Sequence, residues 1–233
     1  MASDPTDFAR RSPLHRVLTS AGAEWTPVAG GCIPMSFGGA DEASRARTLG
    51  LADLSVLPRI GFKGHGAPGW LELQGLTLPA APNLARRLDD GALMARLSAE
   101  EHLLLSDLPA TGDLCARLMS AWSIDTADSV YALPRSDSHA WLLVTGARAV
   151  EMFAKLCAVD LRAHKFADCT VAQTSVARVN AIVIRAGLGD VPGFHLLFDW
   201  ASADYLWGCL IDAADEFGGG PIGRNAILDL ITH

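Results

Sequence analysis

What the chain lacks removes whole classes of function first. Its five cysteines are Cys32, Cys115, Cys157, Cys169 and Cys209, and the closest two stand twelve positions apart. With no C-x-x-C unit, a zinc ribbon or a thioredoxin-like redox pair is excluded. Seven histidines occur without H-x-x-x-H or H-E-x-x-H spacing, so no protein-held catalytic metal is expected. The chain has no G-x-x-x-x-G-K-[ST] loop, no strand followed by G-x-G-x-x-G, and no G-x-S-x-G elbow. It is therefore expected to hold no flavin, NAD or haem by itself and to carry no serine nucleophile. Basic charge is also short: 19 Lys and Arg against 26 Asp and Glu give a net charge of -7, which argues against a nucleic-acid partner. The most apolar long window, residues 140–159, is broken by Arg148, Glu151 and Lys155, so no membrane span is expected. Residues 1–11 hold two acids, two arginines and no apolar core, unlike a signal peptide. An odd number of scattered thiols then fits reduced cysteines in a cytoplasmic protein.

What is present is globular. Half of the 233 residues are hydrophobic and 19% are charged, enough to bury a substantial core. Residues 1–12 are polar and read as mobile. A short helix is predicted over 14–21, with Ser12 as N-cap and Pro13 at its first position. Residues 27–39, rich in Gly and Pro, read as loop, and 41–49 as a helix capped by Asp41 and closed by Gly50. A pattern then occurs twice. Residues 59–64 form a strand ending in Gly64, followed by a helix over 66–76. Residues 139–146 form a strand ending in Gly146, followed by a helix over 147–158. Gly64 and Gly146 are 82 apart, as are Leu71 and Phe153. Strands over 102–107 and 195–199, each followed by a helix, extend the correspondence. Further strands are expected at 92–97, 171–177 and 181–185, with Asn180 as a turn residue and 187–193 as a loop. The last helix runs from 224 or 225 to 231. The fold class is α/β (α+β): two related halves, about 50–130 and 131–233, each with helices packed on a mainly antiparallel sheet.

Few residues suggest chemistry on their own. Asp89 and Asp90 stand before Gly91 and the strand at 92–97. A carboxylate held there can orient an amine or move a proton; equally, two loop acids can be solvated turn residues. Arg178, Arg185 and Arg224 can grip carboxylates or lie on the surface. The cysteines lie in apolar contexts, Cys157 between Leu156 and Ala158 and Cys209 after Trp207 and Gly208, as core thiols do. Trp141, Trp200 and Trp207 read as core or interface anchors.

The order of segments resembles a known domain. Ser12-Pro13-Leu14-His15, then Ala21-Gly22-Ala23 and Pro34-Met35-Ser36-Phe37-Gly38, are similar to the opening of glycine-cleavage T-proteins. Glu42 and Arg45, followed by Gly50, Asp53, Leu54 and Ser55, match their E-H-x-x-x-R-x-x-x-G-x-F-D-V-S pattern. Thr145-Gly146-Ala147-Arg148-Ala149, Gly193-Phe194-His195-Leu196 and Gly218-Gly219-Gly220-Pro221-Ile222-Gly223 resemble later segments in the same order. The match covers residues 12–231. Leu51-Ala52-Asp53-Leu54-Ser55 through Pro58-Arg59-Ile60-Gly61-Phe62-Lys63-Gly64 and Cys157 to Phe166 are similar to the gamma subunits of heterotetrameric sarcosine oxidases. The chain is thus identified as resembling the folate-binding domain of the aminomethyltransferase superfamily, without its C-terminal β-barrel, over residues 13–233.

The resemblance implies tetrahydrofolate as cofactor and a catalytic aspartate before a strand. Asp90 is the nearest match, displaced by one position, with Asp89 beside it. The family's pterin-binding glutamate is missing, and Asp190 stands in its stretch. The family's arginine on the last helix is apolar here, leaving Arg224 nearby. The implied function is that of a sarcosine oxidase gamma-like, tetrahydrofolate-domain subunit of an oxidative N-demethylation complex acting on methylated amines. It would serve as scaffold or pass the released formaldehyde unit to tetrahydrofolate. Its partners would be larger flavin- or haem-containing oxidoreductase subunits, contacted through Trp200, Tyr205 and Trp207. Two alternatives stay open: a stand-alone tetrahydrofolate-dependent aminomethyl- or methyltransferase, and a non-catalytic interaction module.

Overall fold

Runs of apolar residues at period two and at period 3.6 become strands and helices in a computed structural model that describes residues 3–39, 41–125 and 127–232. In chain order the elements are α1 (His15–Ser20), β1 (Glu24–Val28), β2 (Gly31–Ser36), α2 (Glu42–Leu49), β3 (Gly50–Asp53), β4 (Arg59–Lys63), α3 (Ala67–Leu73), β5 (Leu84–Arg87), β6 (Leu93–Arg96), β7 (Glu101–Leu105), α4 (Leu114–Ala121), β8 (Tyr131–Leu133), α5 (Arg135–Ser138), β9 (His139–Thr145), α6 (Ala149–Ala154), β10 (Val171–Val176), β11 (Val179–Arg185), β12 (Gly193–Asp199), α7 (Ala203–Asp215), β13 (Gly220–Pro221) and α8 (Arg224–Thr232). They group into two compact units. One comprises residues 1–56, 139–168 and 172–233; the other comprises 57–138 with 169–171.

The first unit is built on a six-stranded sheet in the order β10-β11-β12-β9-β3-β13. Its β11–β12, β12–β9 and β9–β3 pairs are antiparallel, and β13 runs parallel to its neighbour β3. Alternation puts Phe194, Leu196 and Phe198 on one face of β12, in one core with Leu142 and Val144 of β9, Met152 and Phe153 of α6, and Leu206 and Leu210 of α7. Burying each such side chain contributes about 1.5–3 kcal/mol. On α7 the buried residues Ala203, Leu206, Trp207, Leu210, Ala213 and Ala214 fall on one helical stripe. That spacing corrects one expectation: Trp207 is 4% exposed and belongs to the core, not to a contact surface, whereas Tyr205 on the opposite side is 54% exposed.

The second unit is a five-stranded sheet, β5-β6-β7-β4-β8, whose described pairs are all antiparallel. Helices α3 and α4 cover one face, with Ala67, Leu71, Leu114 and Leu118 against Ile60, Phe62, Met94 and Leu104. Phe62 and Trp70 rings sit 4.7 Å apart. The edge at β5 is not left open. Ala85 N donates to Cys169 O and Val171 N donates to Asn83 O, so a passing segment takes up hydrogen-bonding groups that an edge strand otherwise exposes.

Several local expectations change. Residues 27–39 are not all loop, because β1 and β2 form a two-stranded hairpin. Pro27 and Pro34 are accommodated because the sheet has two strands, so a residue without an N–H is tolerated on the free side of each. Ala29 and Gly30, both at positive φ, make the two-residue turn. The turn between β10 and β11 falls on Ala177 and Arg178, at φ 47° and 68°, and Asn180 lies inside β11. Gly50 does not end α2 in a left-handed cap but starts β3 at φ -109°. A Cβ there would stand 2.6 Å from Ile222 and 2.8 Å from Thr145 Oγ1; close packing, not backbone freedom, calls for glycine. Of the segment expected to be mobile, Met1 and Ala2 lie outside the described residues. From Ser3 onward it is bonded: Ser3 N donates to Trp25 O, and Ser12 is buried with its hydroxyl accepting from Leu14 N.

Gly64 and Gly146 occupy equivalent places after β4 and β9, at φ 122° and 106°. In each case the glycine carbonyl accepts from the N–H three residues on, opening the helix. A Cβ at 146 would lie 2.4 Å from the Thr48 backbone, so Gly146→Ala combines a left-handed backbone with a clash. It is expected to cost more than about 2 kcal/mol in urea denaturation. Gly22→Ala, at φ 88° with nothing within 4 Å, is expected to cost only the backbone term of about 1 kcal/mol.

His102 pairs with Phe62 across β7 and β4 and so faces the apolar side covered by helices. It has no exposed surface, and neither ring nitrogen has a partner among the described residues. Burial, with a smaller push from Arg96, lowers its pKa to about 4. The unfolded chain takes up this proton near pH 6.5 and the native chain does not, so stability is complete above 6.5 and falls as pH drops toward 4. The native protein should lose about 2 kcal/mol between pH 7.5 and pH 5 through this group. In paired denaturant melts, His102→Leu should show a smaller acid loss by that amount.

Candidate functional site

Asp89 and Asp90 lie in the turn joining β5 to β6. Leu88 N donates to Ala92 O at 2.8 Å and Gly91 N to Leu88 O at 2.9 Å, with Gly91 at φ 83°. Asp90 closes the turn on itself: its Oδ1 accepts from Ala92 N at 3.0 Å, the local bond that favours Asp in turns. Its second oxygen faces the loop before α4, where a Cβ at Gly112 would stand 3.9 Å away. That loop is held by Asp107, which is buried and accepts from Thr111 N, Thr111 Oγ1 and Gly112 N at 2.8, 3.0 and 3.0 Å. The neighbouring Cys115 thiol is pushed up to about 12 by burial, then by Asp90, with Asp107 adding a little and Arg59 opposing. It is a neutral core thiol and not a nucleophile. Arg59 is itself buried, donating to Leu57 O and Ser136 O.

A pocket of about 230 Å³ opens beside this turn, between β5, the end of α3 and the start of α4. Thr77, Arg86, Arg87, Asp89, Asp90 and Arg117 supply its polar groups, over Leu76, Leu88 and Leu114. Arg87 Nη1 also reaches Cys169 Sγ at 3.2 Å.

The other two expected site residues belong to the first unit. Asp190 sits in a tight turn where Leu188 and Val191 exchange backbone bonds. It is paired with Arg47 at 2.9 Å, and the hydrogen bond and charge of Arg47 lower its pKa. Arg224 is the first residue of α8 and half-buried. Arg185 serves the fold, donating to Phe166 O at 3.0 Å and lying 5.5 Å over the Phe194 ring. Arg178 is exposed in its turn.

Two buried polar groups in the first unit were not legible from the sequence. The Asp53 carboxyl bonds the Ser12 hydroxyl and accepts from Ser55 N at 3.0 Å. Ser55 Oγ accepts from Trp141 N, and the Trp141 indole N–H donates to His195 Nδ1 at 3.1 Å. Glu42 accepts from Phe37 N at 2.6 Å and Gly223 N at 2.7 Å, tying the start of α2 to the segment just before it and to the distant turn before α8. The acids were visible as pattern positions. One partner of each, Ser12 and Gly223, lies 41 and 181 positions away, so nothing local pointed to those bonds.

Comparison with known proteins follows the same lines. An aminomethyltransferase of Saccharopolyspora erythraea is 28% identical over 230 residues, covering 93% of this chain and 61% of its own length. One from Streptomyces avermitilis is 29% identical over 240 residues, covering 97% and 62%. The chain thus spans about three-fifths of the length of the aminomethyltransferases it matches. Among solved structures, heterotetrameric sarcosine oxidase from Corynebacterium sp. U-96 superposes with a TM-score of 0.68 at 21% identity, covering 91% of this chain and 97% of that one. The glycine cleavage system aminomethyltransferase T of Bartonella henselae superposes with a TM-score of 0.72 at 19% identity, covering 94% and 61%. At these identities the two structures establish the fold: mixed α/β with open, mainly antiparallel sheets and packed helices, as the sequence led one to expect. The family model of the GCVT N-terminal domain matches residues 85–230, more than half of the 233 residues, and the chain belongs to that family.

Proposed function

We propose that this chain is a sarcosine oxidase gamma-like, tetrahydrofolate-domain subunit of a cytoplasmic, hetero-oligomeric complex that oxidatively demethylates N-methyl amines. One observation supports the reading: the fold superposes on a chain of the heterotetrameric sarcosine oxidase with a TM-score of 0.68 over 91% of this chain. Larger flavin- or haem-containing subunits then perform the oxidation. This chain acts as scaffold or in passing the formaldehyde unit to tetrahydrofolate.

The residues present fit tetrahydrofolate in part. Asp90 spends one carboxylate oxygen on its own turn and keeps the other for a nitrogen. Asp190, held as a carboxylate by Arg47, suits the N–H donors of a pterin ring, in the place of the family's glutamate. Arg224 suits the carboxylates of the folate tail. Bound tetrahydrofolate supplies the nitrogens that accept a one-carbon unit. Asp90, with Asp89 beside it, hydrogen-bonds the reacting amine and stabilises positive charge developing there, as a preorganised carboxylate does. The names of the sequence relatives favour a stand-alone aminomethyl- or methyltransferase as second reading. In either reading the family's glutamate is absent, and without Asp190 in its place the pterin donors would stay unpaired at ~1–3 kcal/mol each.

Equilibrium binding of tetrahydrofolate to the purified chain, and formaldehyde capture by the complex isolated from its host, test the proposal. Binding is expected, together with copurifying flavin or haem subunits. Asp90→Asn should lower capture about 10²-fold or more with the fold intact. Capture unchanged in Asp89→Asn, Asp90→Asn and the double variant would remove the catalytic role and leave a scaffold. A chain that binds no folate but still copurifies with partners would leave an interaction module, and one that binds neither would overturn the proposal.

A further inference from the structure

We infer that the six-stranded sheet, on the face opposite its helices, carries a binding site for an uncharged heterocycle of the aminopurine class, whose donor–acceptor edge is paired by Asn180 and whose ring lies on Ile182 and Leu197. The inference goes beyond the folate reading and uses none of its residues. A pocket of about 380 Å³ lies there, and every residue lining it belongs to the first unit. His139, Gln173 and Asn180 give it polar side chains, and among the described residues no Asp, Glu, Lys or Arg lines it. It stands apart from the turn that holds Asp190, because Leu197 is four residues along β12 from Gly193, about 13 Å of strand.

Alternation along the strands sets this face. On β11, Ala181 and Val183 belong to the core under the helices, so Asn180 and Ile182 project the other way. On β10, Ala172 and Val176 pack on that core, which turns Gln173 to the same side as Asn180. On β9 and β12, Ala140 and Phe198 face the helices, leaving His139 and Leu197 opposite. Ile182 and Leu197 are direct partners across β11 and β12, near enough to make one aliphatic floor. Gln173 and His139 bound that floor from the two flanking strands. Asn180 is exposed, and its amide makes no hydrogen bond among the described residues. Asparagine is depleted in strands, and within β11 it forgoes the turn and cap bonds it makes elsewhere.

Chemistry and size restrict the occupant. A carboxamide presents donors and an acceptor side by side. Its complement is a ring with an acceptor next to an exocyclic amine, the edge of adenine that asparagine pairs in bidentate fashion. The aliphatic floor takes one face of such a ring out of water. The volume, about 380 Å³, is the share of roughly a dozen liquid waters and falls within the ~300–1,000 Å³ of small-molecule pockets. Charge is disfavoured. Without an ionic partner in the lining, an ion would lose hydration and gain nothing in exchange. The carboxylate of Asp199, paired with His139 across β12 and β9, further opposes a phosphate. The nucleoside, and not the nucleotide, is the form that fits.

The test is a titration of the ¹⁵N-labelled full chain with adenosine, without folate. Purine riboside, the same nucleoside without its amino group, and adenosine monophosphate serve as the two comparisons. Adenosine is expected to shift amides in residues 139–141, 173–175, 180–183 and 196–198 and to leave 187–191 in place. Purine riboside should bind about tenfold more weakly, the loss of one hydrogen bond, and the monophosphate no more tightly than adenosine. Asn180→Leu and Asn180→Thr, at an exposed strand position, should each weaken adenosine about tenfold or more and leave the remaining spectrum superposable. Purine riboside binding as tightly as adenosine, the monophosphate binding more tightly, adenosine shifts indifferent to both variants, or no shifts at all would each overturn the assignment. None of those results bears on folate binding, which is measured separately.

Discussion

Asp53 is 4% exposed at the end of β3, and a carboxyl group taken from water must be met by donors or it destabilises the fold. Here one oxygen bonds the Ser12 hydroxyl and the other accepts from Ser55 N. Ser55 then engages both backbone groups of Trp141, whose indole reaches His195. The chain leading into α1, the strand β3, and the paired strands β9 and β12 are thereby held in one register. A strand pair slipped by one residue would turn Trp141 away from His195 and break the line of bonds. The aliphatic and aromatic residues around it supply most of the favourable free energy. The polar line selects which apolar arrangement is formed.

Each unit also depends on the same tight turn. A strand runs into a glycine at positive φ, and the glycine's carbonyl receives the first bond of the next helix. At Gly64 a Cβ would meet Ser129 O and at Gly146 the Thr48 backbone, so in both places a neighbouring chain passes too near for a side chain. The recurrence at an offset of 82 residues is what a reading of the chain as two pseudo-repeated halves rests on. By contacts, the division falls at residues 57 and 139, and the N-terminal segment joins the later half.

The candidate site is shaped by an economy of hydrogen bonds. Asp107 is buried and spends three bonds on its own loop, while Asp90 spends one and Asp89 none. Adjacent acids in one short stretch of surface therefore differ in what they can offer a ligand. The same local field, together with burial, keeps Cys115 protonated, so this part of the molecule works through carboxylates and guanidiniums and not through sulfur. Asp190 is committed in another way, to the exposed pair with Arg47.

The sequence alone determined what is local or ordered along the chain. Periodicity placed α3, α4, α7, α8, β4 and β9, because burial of one face imposes a spacing that survives in any context. The collinear motifs identified the family resemblance, and the turn chemistry around Asp90 was readable because an aspartate bonds its own backbone two residues on. Tertiary structure decided the rest. The β1–β2 hairpin was hidden by its prolines, whose acceptability depends on an unpartnered strand side. Trp207 went to the core and Tyr205 to the surface by the rotation of α7 against its sheet. Glu42 and Asp53 found donors at Gly223 and Ser12, 181 and 41 positions away. The pocket's charges, contributed by a strand, a turn and a helix, come together only after folding. Bonds between segments that far apart leave no periodic trace, since each end is a single residue and only the packed chain brings the two together.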